Sequence, residues 1–340
     1  MKTTHPALLA AALTLSGCFA EKTPLESDLM DGATRRMPAE WEPQAAVWLQ
    51  WPQPWEGAAV EASFVAIVEV VAQHEDVHLL ATSARTRSRG EAALAGLERV
   101  TWHTIDNDSS WMRDNGPRYI EVDGQMVIQD WGFDAWGGGF GNIPYDADNA
   151  VPGVLAELLS LPMETVGLVH ERGDLEVNGV DTALVSWSVI SHRNPDLSRA
   201  EITARLEAAL GVTSVIYTEG FDPQDGTRGH VDGFARFISE DTIVVGQDGS
   251  ALLEDFAAQI ASQRPDLNIV RMPVGAGDPY LNWLVGDGYV VTGTGSDDAA
   301  AREHIASYFP GRTVYFVDIE ALWWNGGGVH CVTNDQPAVQ

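Results

Sequence analysis

The chain has 340 residues, 49 acidic and 20 basic side chains, a formal net charge of −29 at pH 7 and two cysteines. Such acidity excludes a nucleic-acid partner held through phosphates and adhesion to anionic headgroups by charge, and two cysteines argue against an internal disulfide framework. The length suits one large domain or two smaller ones, with a sizeable core either way.

The N-terminus reads as a targeting segment. Lys2 gives a basic start, and Ala7 to Leu15 form an apolar run too short to span a bilayer. Leu15-Ser16-Gly17-Cys18 resembles the bacterial lipobox. The expectation is that residues 1–17 are a lipoprotein signal peptide and that Cys18 becomes the lipidated first residue. Residues 18–36 then form a flexible tether, polar and carrying Pro24, Ser27 and Gly32. No aspartate follows Cys18, which points to an extracytoplasmic protein anchored by lipid to the outer membrane. Contact with the membrane is expected only through that anchor.

The folded part is expected to start at Met37 and run as one domain to residue 340. Ala45 to Trp51 reads as a strand. Ala58 to His74 reads as a helix with Phe64, Ile67, Val68 and Val71 on one face. Val77 to Ala81 reads as a buried strand, 88–97 as a helix, and Val100 to Ile105 as a strand.

A unit then recurs. Asp114 precedes the pair Arg118 to Val122 and Met126 to Asp130, joined at Asp123-Gly124, a strong hairpin signal. Asp174 precedes Leu175 to Val177 and Thr182 to Ser186, joined through Asn178-Gly179. Asp232 precedes Phe234 to Ile238 and Thr242 to Gly246. Asn282 opens Trp283 to Val285 and Tyr289 to Thr292, joined through Asp287-Gly288. Helices follow most hairpins: Ser198 to Leu210, where Ser198 and Glu201 are spaced as a capping box, Leu252 to Arg264, and Asp297 to Tyr308. Strands at Ser214 to Tyr217, Ile269 to Met272 and Val314 to Val317 close the units. The period of about 50 to 60 residues predicts a radial or stacked α/β array. In such an array the four polar residues at the hairpin mouths face one central point. The segment 37–105 is less regular, and Cys331 is expected to complete the ring with it.

Cys331 is the only cysteine after Cys18, and Gly326-Gly327-Gly328 delivers it. A lone cysteine is ordinarily a small buried hydrophobe. A thiolate is also the strongest side-chain nucleophile near neutral pH, and a single cysteine with a distant histidine and carboxylates fits that role. His230-Val231-Asp232 at a strand start places an imidazole and a carboxylate on one face. That pair suits a proton shuttle or a metal site. His103, Asp106 and Asp108 are the only further ligands in view, and no second His-rich motif supports a metal. Trp111, Trp131, Trp136, Trp283, Trp323 and Trp324 offer aromatic surface, and Glu171 and Asp174 add carboxylates. One thiol, one histidine and several carboxylates suit a planar guanidinium cation, which pairs bidentately with carboxylates.

These motifs resemble the bacterial agmatine deiminases and related bacterial-type peptidylarginine deiminases. The resemblance spans Met37 to Pro337 and rests on Met37-Pro-Ala-Glu-Trp-Glu-Pro43, Trp111-Met-Arg-Asp-Asn-Gly-Pro117, Ala135-Trp-Gly-Gly138, Gly229-His-Val-Asp232, Tyr280-Leu-Asn282 and Gly326-Gly-Gly-Val-His-Cys331. It implies a five-bladed, pseudo-symmetric α/β propeller of hairpin-helix-strand units. It implies hydrolysis of a guanidine to a ureido group and ammonia with no metal or organic cofactor. By the same resemblance Cys331 attacks the guanidinium carbon, Asp114 and Asp232 hold its nitrogens, and His230 is the acid and base. Glu171 orients His230, Asn282 with Gly327 and Gly328 shapes the nucleophile's surroundings, and Trp111 and Trp136 wall the pocket.

The chain departs from the family at Arg172, where Glu-Gly-Gly is usual, at Arg228 before Gly229, where an acidic residue is frequent, and at Gly233. Arg172 and Arg228 at the mouth would repel an ammonium and favour a substrate with a carboxylate; pointing to solvent, or paired with nearby carboxylates, they contribute little. Three readings follow: an agmatine deiminase, a deiminase of free or peptidyl arginine, and a lipoprotein that only binds cationic solutes. An intact thiol argues against the third, since binding needs no nucleophile.

Overall fold

The computed structural model describes residues 27–338. The apolar run and Cys18 lie outside the described residues.

Five sheets repeat one plan. In the first, Arg118–Val122 and Gln125–Gly132 form an antiparallel hairpin. Asp123 and Gly124 both take positive φ, 49° and 79°, as a tight right-twisted hairpin requires. Gln125–Gly132 then runs parallel to Met163–Val169. A parallel neighbour needs a crossover, and the helix Asp146–Leu159 supplies it. The next three sheets repeat this with Glu176–Val177, Thr182–Ser186 and Ser214–Thr218; with Ala235–Ser239, Thr242–Gln247 and Asn268–Pro273; and with Leu284–Gly286, Tyr289–Gly293 and Thr313–Val317. In the fifth, the last strand, Asn334–Pro337, lies antiparallel to Gln44–Gln50, which runs parallel to Val77–Ala81 and, beyond it, Val100–Thr104. The last strand thus shares a sheet with Gln44–Gln50, near the start of the described residues.

Local chemistry sets the helix limits. Ser198 and Glu201 form the expected capping box, and Gly211, at φ 72°, ends the helix Arg199–Leu210. The expected helix at 88–97 lies earlier, at Ala84–Ala93, because Ser83 accepts the Thr86 N–H and starts it there. The helix Asp146–Leu159 has no counterpart in the sequence reading. Pro152 sits inside it and reads as a breaker. Phe64, Ile67, Val68 and Val71 are fully buried, as their spacing predicts. Each such side chain stabilises the fold by about 1.5–3 kcal/mol.

The expected tether ends sooner than predicted. Ser27 Oγ accepts the Gly167 N–H, Asp28 bridges Thr165, and Arg35–Arg36 pairs with Val122 and Glu121. Arg35 also grips the buried carboxylate of Glu164 through both terminal nitrogens, at 2.5 and 2.6 Å. Residues 27–36 therefore dock on the first sheet. Its edge needs a backbone partner and Glu164 needs a cation. Among the described residues no helix is long and apolar enough to cross a membrane.

Candidate active site

The functional side chains stand on short turns ahead of the hairpins. Asp114 lies on the one-turn helix Met112–Asn115, Glu171 caps the turn Arg172–Asp174, and Asp232 lies on the turn Val231–Gly233. His230 immediately precedes the turn that carries Asp232, so the two do not share one face of a strand as expected, yet both line the cavity. Cys331 stands on the short helix Val329–Val332 after the three glycines. A Cβ at Gly327 would meet the Cys331 Sγ at 2.9 Å and Trp111 at 2.7 Å, and one at Gly328 would meet Asn282 at 2.5 Å. The glycines are required by this close approach.

Cys331 is 9% exposed, at the floor of a cavity of about 460 Å³. Its Sγ accepts from Asn282 Nδ2 at 3.2 Å and lies 3.6 Å from Asp232 Oδ2. Burial and the charges of Asp232 and Asp114 push the thiol well above its ordinary pKa.

Asp114 accepts the Trp136 indole N–H at 2.8 Å and the Gly173 N–H at 3.1 Å. Burial raises its pKa to about 6; His230 works against that shift, and Asp232 and Glu171 add to it. His230 Nδ1 lies 3.7 Å from Asp114, and Nε2 lies 3.8 Å from Glu171. Both are ion contacts too long for hydrogen bonds. Burial disfavours an imidazolium, but Asp114, Glu171 and Asp174 outweigh it and raise His230 to about 10. Burial also opposes the Glu171 carboxylate, yet Arg193, donating at 2.7 Å, and His230 hold its pKa well below the usual range. For Asp232, burial is outweighed by His330, His230 and Arg236, and its pKa falls.

The cavity collects Asp114, His230, Asp232, Asn282, Gly327, Cys331, Trp111 and Trp136. Glu171 stands behind His230. Asp174 does not face the cavity: it accepts from His170 Nε2 at 2.9 Å and from the Ser186 N–H, so three of the four hairpin-mouth residues converge. Trp131 and Trp283 are core, and Trp324 is exposed outside the cavity wall.

The two arginines are placed differently from the expectation for the mouth. Arg172 is buried; its Nη2 reaches both carboxylate oxygens of Asp335 at 2.8 Å, and its Nη1 donates to Asn334 Oδ1. Arg228 stacks on Phe221 at 4.5 Å and donates to the Ser188 carbonyl. Neither lines the cavity, because buried carboxylate and aromatic partners are nearer than the mouth.

Sequence reasoning missed Trp55, Phe140, Asp225 and Thr227 on the cavity wall. It also missed Gly173, where a Cβ would meet Asp114 at 2.6 Å and His230 at 2.7 Å. A signal for Asp225 exists: it ties the loop before His230 through the Thr227 and Gly229 N–H groups, an Asx-type turn. Glu40, Glu176 and His330 have metal-ligand spacing, but the Arg236 guanidinium already stands between the two glutamates at 2.6 and 2.8 Å.

The sequence model of the Porphyromonas-type peptidyl-arginine deiminases matches residues 36–337. The agmatine deiminase of Pseudomonas aeruginosa (strain LESB58) is 29% identical over 353 residues, covering 89% of this chain and 95% of that protein. Among solved structures, the agmatine deiminase of Enterococcus faecalis superposes with a TM-score of 0.83 at 24% identity, over 90% of this chain and 97% of that one. A C. jejuni agmatine deiminase with substrate bound gives 0.82 at 20% identity, over 92% and 99%. These two likenesses establish a shared mixed α/β fold.

Proposed function

The chain belongs to the Porphyromonas-type peptidyl-arginine deiminase family, and we propose that it hydrolyses the guanidine of agmatine to N-carbamoylputrescine and ammonia. It is a hydrolase of carbon–nitrogen bonds. One observation carries the reading: the only thiol among the described residues lies at the floor of a cavity beside two carboxylates and a histidine whose pKa those and neighbouring carboxylates raise.

In this reading Asp114 and Asp232 hold the guanidinium nitrogens, and the arriving cation offsets the charges that keep Cys331 protonated. Sulfur attacks the guanidinium carbon. His230 donates its proton to the departing nitrogen, the carbon–nitrogen bond breaks, and the thiol proton departs with the ammonia as ammonium, which leaves the ring neutral. Ammonium and a thiouronium on Cys331 result. Water then attacks that carbon with His230 as base, and the carbon–sulfur bond breaks to give the ureido product and the thiol. Glu171, held by Arg193, orients His230. No step asks for a metal or organic cofactor.

Deimination of arginine within a peptide is the second reading. The cavity is open at its mouth, where Trp55 is 69% exposed, and no arginine or lysine is among its lining residues to meet a free carboxylate. The test is to compare agmatine, free arginine and peptide-embedded arginine by ammonia release and ureido detection. Agmatine is expected to give the highest kcat/KM. A preference for the peptide transfers the assignment to the second reading, and a preference for free arginine overturns both.

Two further readings accompany this one. The five sheets, one of which joins Gln44–Gln50 to the last strand, Asn334–Pro337, support a five-bladed propeller; a crystal structure whose sheets do not surround one axis would reject it. The lipobox supports anchoring at Cys18 in the cell envelope. Cys18→Ala is expected to move the protein to the soluble fraction, and absence of palmitate label on the wild type removes the idea.

A further inference from the structure

His330, next in the chain to the nucleophile, takes no part in the steps above. It is 1% exposed, and both ring nitrogens meet a carboxylate oxygen at 2.8 Å: Nδ1 faces Asp232 Oδ2 and Nε2 faces Glu40 Oε2. Glu40 is itself fixed. Its Oε2 accepts from Arg236 at 2.8 Å and its Oε1 accepts the Val285 N–H at 2.8 Å. Arg236 also donates to Glu176 and to the carbonyls of Leu281 and Trp283. The His330 backbone is held too, its N–H by Asn282 and its carbonyl by Arg113. The ring has no freedom to swing.

A carboxylate oxygen has only lone pairs to offer, and so has an unprotonated ring nitrogen, so each 2.8 Å contact calls for a proton between its atoms. Burial, with Arg113 and Arg236 nearby, holds the ring's pKa well below its ordinary value and opposes a second ring proton. Glu40 already accepts from Arg236 and from the Val285 N–H, so the ring proton is assigned to Nδ1, where it meets Asp232.

We propose that His330, braced by Glu40, is a positioning residue for Asp232 during deimination. It occupies one side of the Asp232 carboxylate with a charge-assisted bond, so that the remaining lone pairs face the cavity. Asn282 bonds both the His330 N–H and the Cys331 sulfur, so the carboxylate and the nucleophile are registered through adjacent residues. The inference rests on the reading of Asp232 as a holder of the guanidinium.

The test has two arms. Nitrogen-15 NMR of the His330 ring in the wild-type protein is expected to show a proton on Nδ1 at neutral pH. A tautomer protonated on Nε2 alone overturns the proposal. This arm needs no substrate, so it separates failure here from failure of the deiminase reading, which would appear as no ammonia from any guanidine. The second arm is kinetic. His330→Asn places an amide N–H where Nδ1 stood, whereas His330→Gln reaches toward Glu40 and leaves Asp232 without its donor. KM of the Gln variant is expected to rise about 10–100-fold with a smaller change in kcat, the loss of one hydrogen bond to a charged group. The Asn variant is expected to stay close to wild type. Equal losses in both variants overturn the proposal, and if neither variant folds the NMR result decides it.

Discussion

Trp136 donates its indole N–H to Asp114 across 2.8 Å, and its backbone is held at φ 58° to do so. Ala135 before it takes φ 55°. Two successive non-glycine residues in the left-handed region are strained. That strain aims one aromatic ring at one carboxylate. Trp136→Phe keeps the wall and removes the donor. It is expected to cost about 1.5–3 kcal/mol in kcat/KM, the worth of a hydrogen bond to a charged group. Steady-state kinetics with agmatine checks this, and unchanged kcat/KM would mean that the bond does not prepare Asp114.

The two carboxylates face a cation in the proposed complex. Asp114→Asn and Asp232→Asn keep size and hydrogen bonding but remove charge. Each is expected to lose more than about 2 kcal/mol of transition-state stabilisation. Near-normal kinetics in both would place the guanidinium elsewhere.

The pH dependence of kcat/KM reports the free enzyme. Asp114 must be ionised to hold the cation and titrates at about 6, so activity rises through that value. His230 must be protonated and titrates at about 10, so activity falls beyond it. For stability the sign is different at the acid end. Both folded values are raised, so each contribution is complete below the unfolded pKa and is lost as pH rises through the folded one. The Asp114 contribution disappears between its ordinary value and about 6, and that of His230 between about 6.5 and about 10. An activity profile without an acid limb near 6 would count against Asp114.

Burial and the Asp232 and Asp114 carboxylates raise the Cys331 pKa and favour the thiol over the thiolate. Iodoacetamide, which is neutral, is expected to label it slowly at pH 7 and faster as pH rises. A haloacetamidine, which carries the cation, is expected to label it faster at pH 7. Equal rates for the two reagents would show that the carboxylates do not control the sulfur. Cys331→Ala is expected to fold and to release no ammonia.

Arg172 tests structure rather than selectivity. Burial and Arg113 loosen its proton, while Asp335, whose two oxygens both accept from Nη2, holds it. Arg172→Met leaves Asp335 with Arg113 alone, at 2.6 Å. A loss of about 3 kcal/mol is expected, the low end for breaking a buried pair. Because the Asp335 pKa is lowered in the fold, the loss is expected above its unfolded value and fades as pH falls. The ranking of agmatine, arginine and peptide is expected not to change. Denaturant melts and the substrate panel check both statements.

Much of this protein was legible along the chain. Hairpins at Asp123-Gly124 and Asn178-Gly179, the capping box at Ser198, and the buried face of Phe64, Ile67, Val68 and Val71 are short-range features set by backbone preference and periodicity. The recurrence of a polar residue before each hairpin, with one cysteine after three glycines, marked the site without any distance being known. Only the tertiary structure decided where those side chains point. Asp174 has the same register as Asp114 and Asp232 yet turns to His170. Arg172 stands beside Glu171 yet finds Asp335, 163 residues away in the chain. Arg228 finds Phe221, and residues 27–36 find the edge of the first sheet. On one-turn helices neither the period of 2 nor that of 3.6 runs long enough to fix a direction, so the buried partner with the most to lose in water determines it.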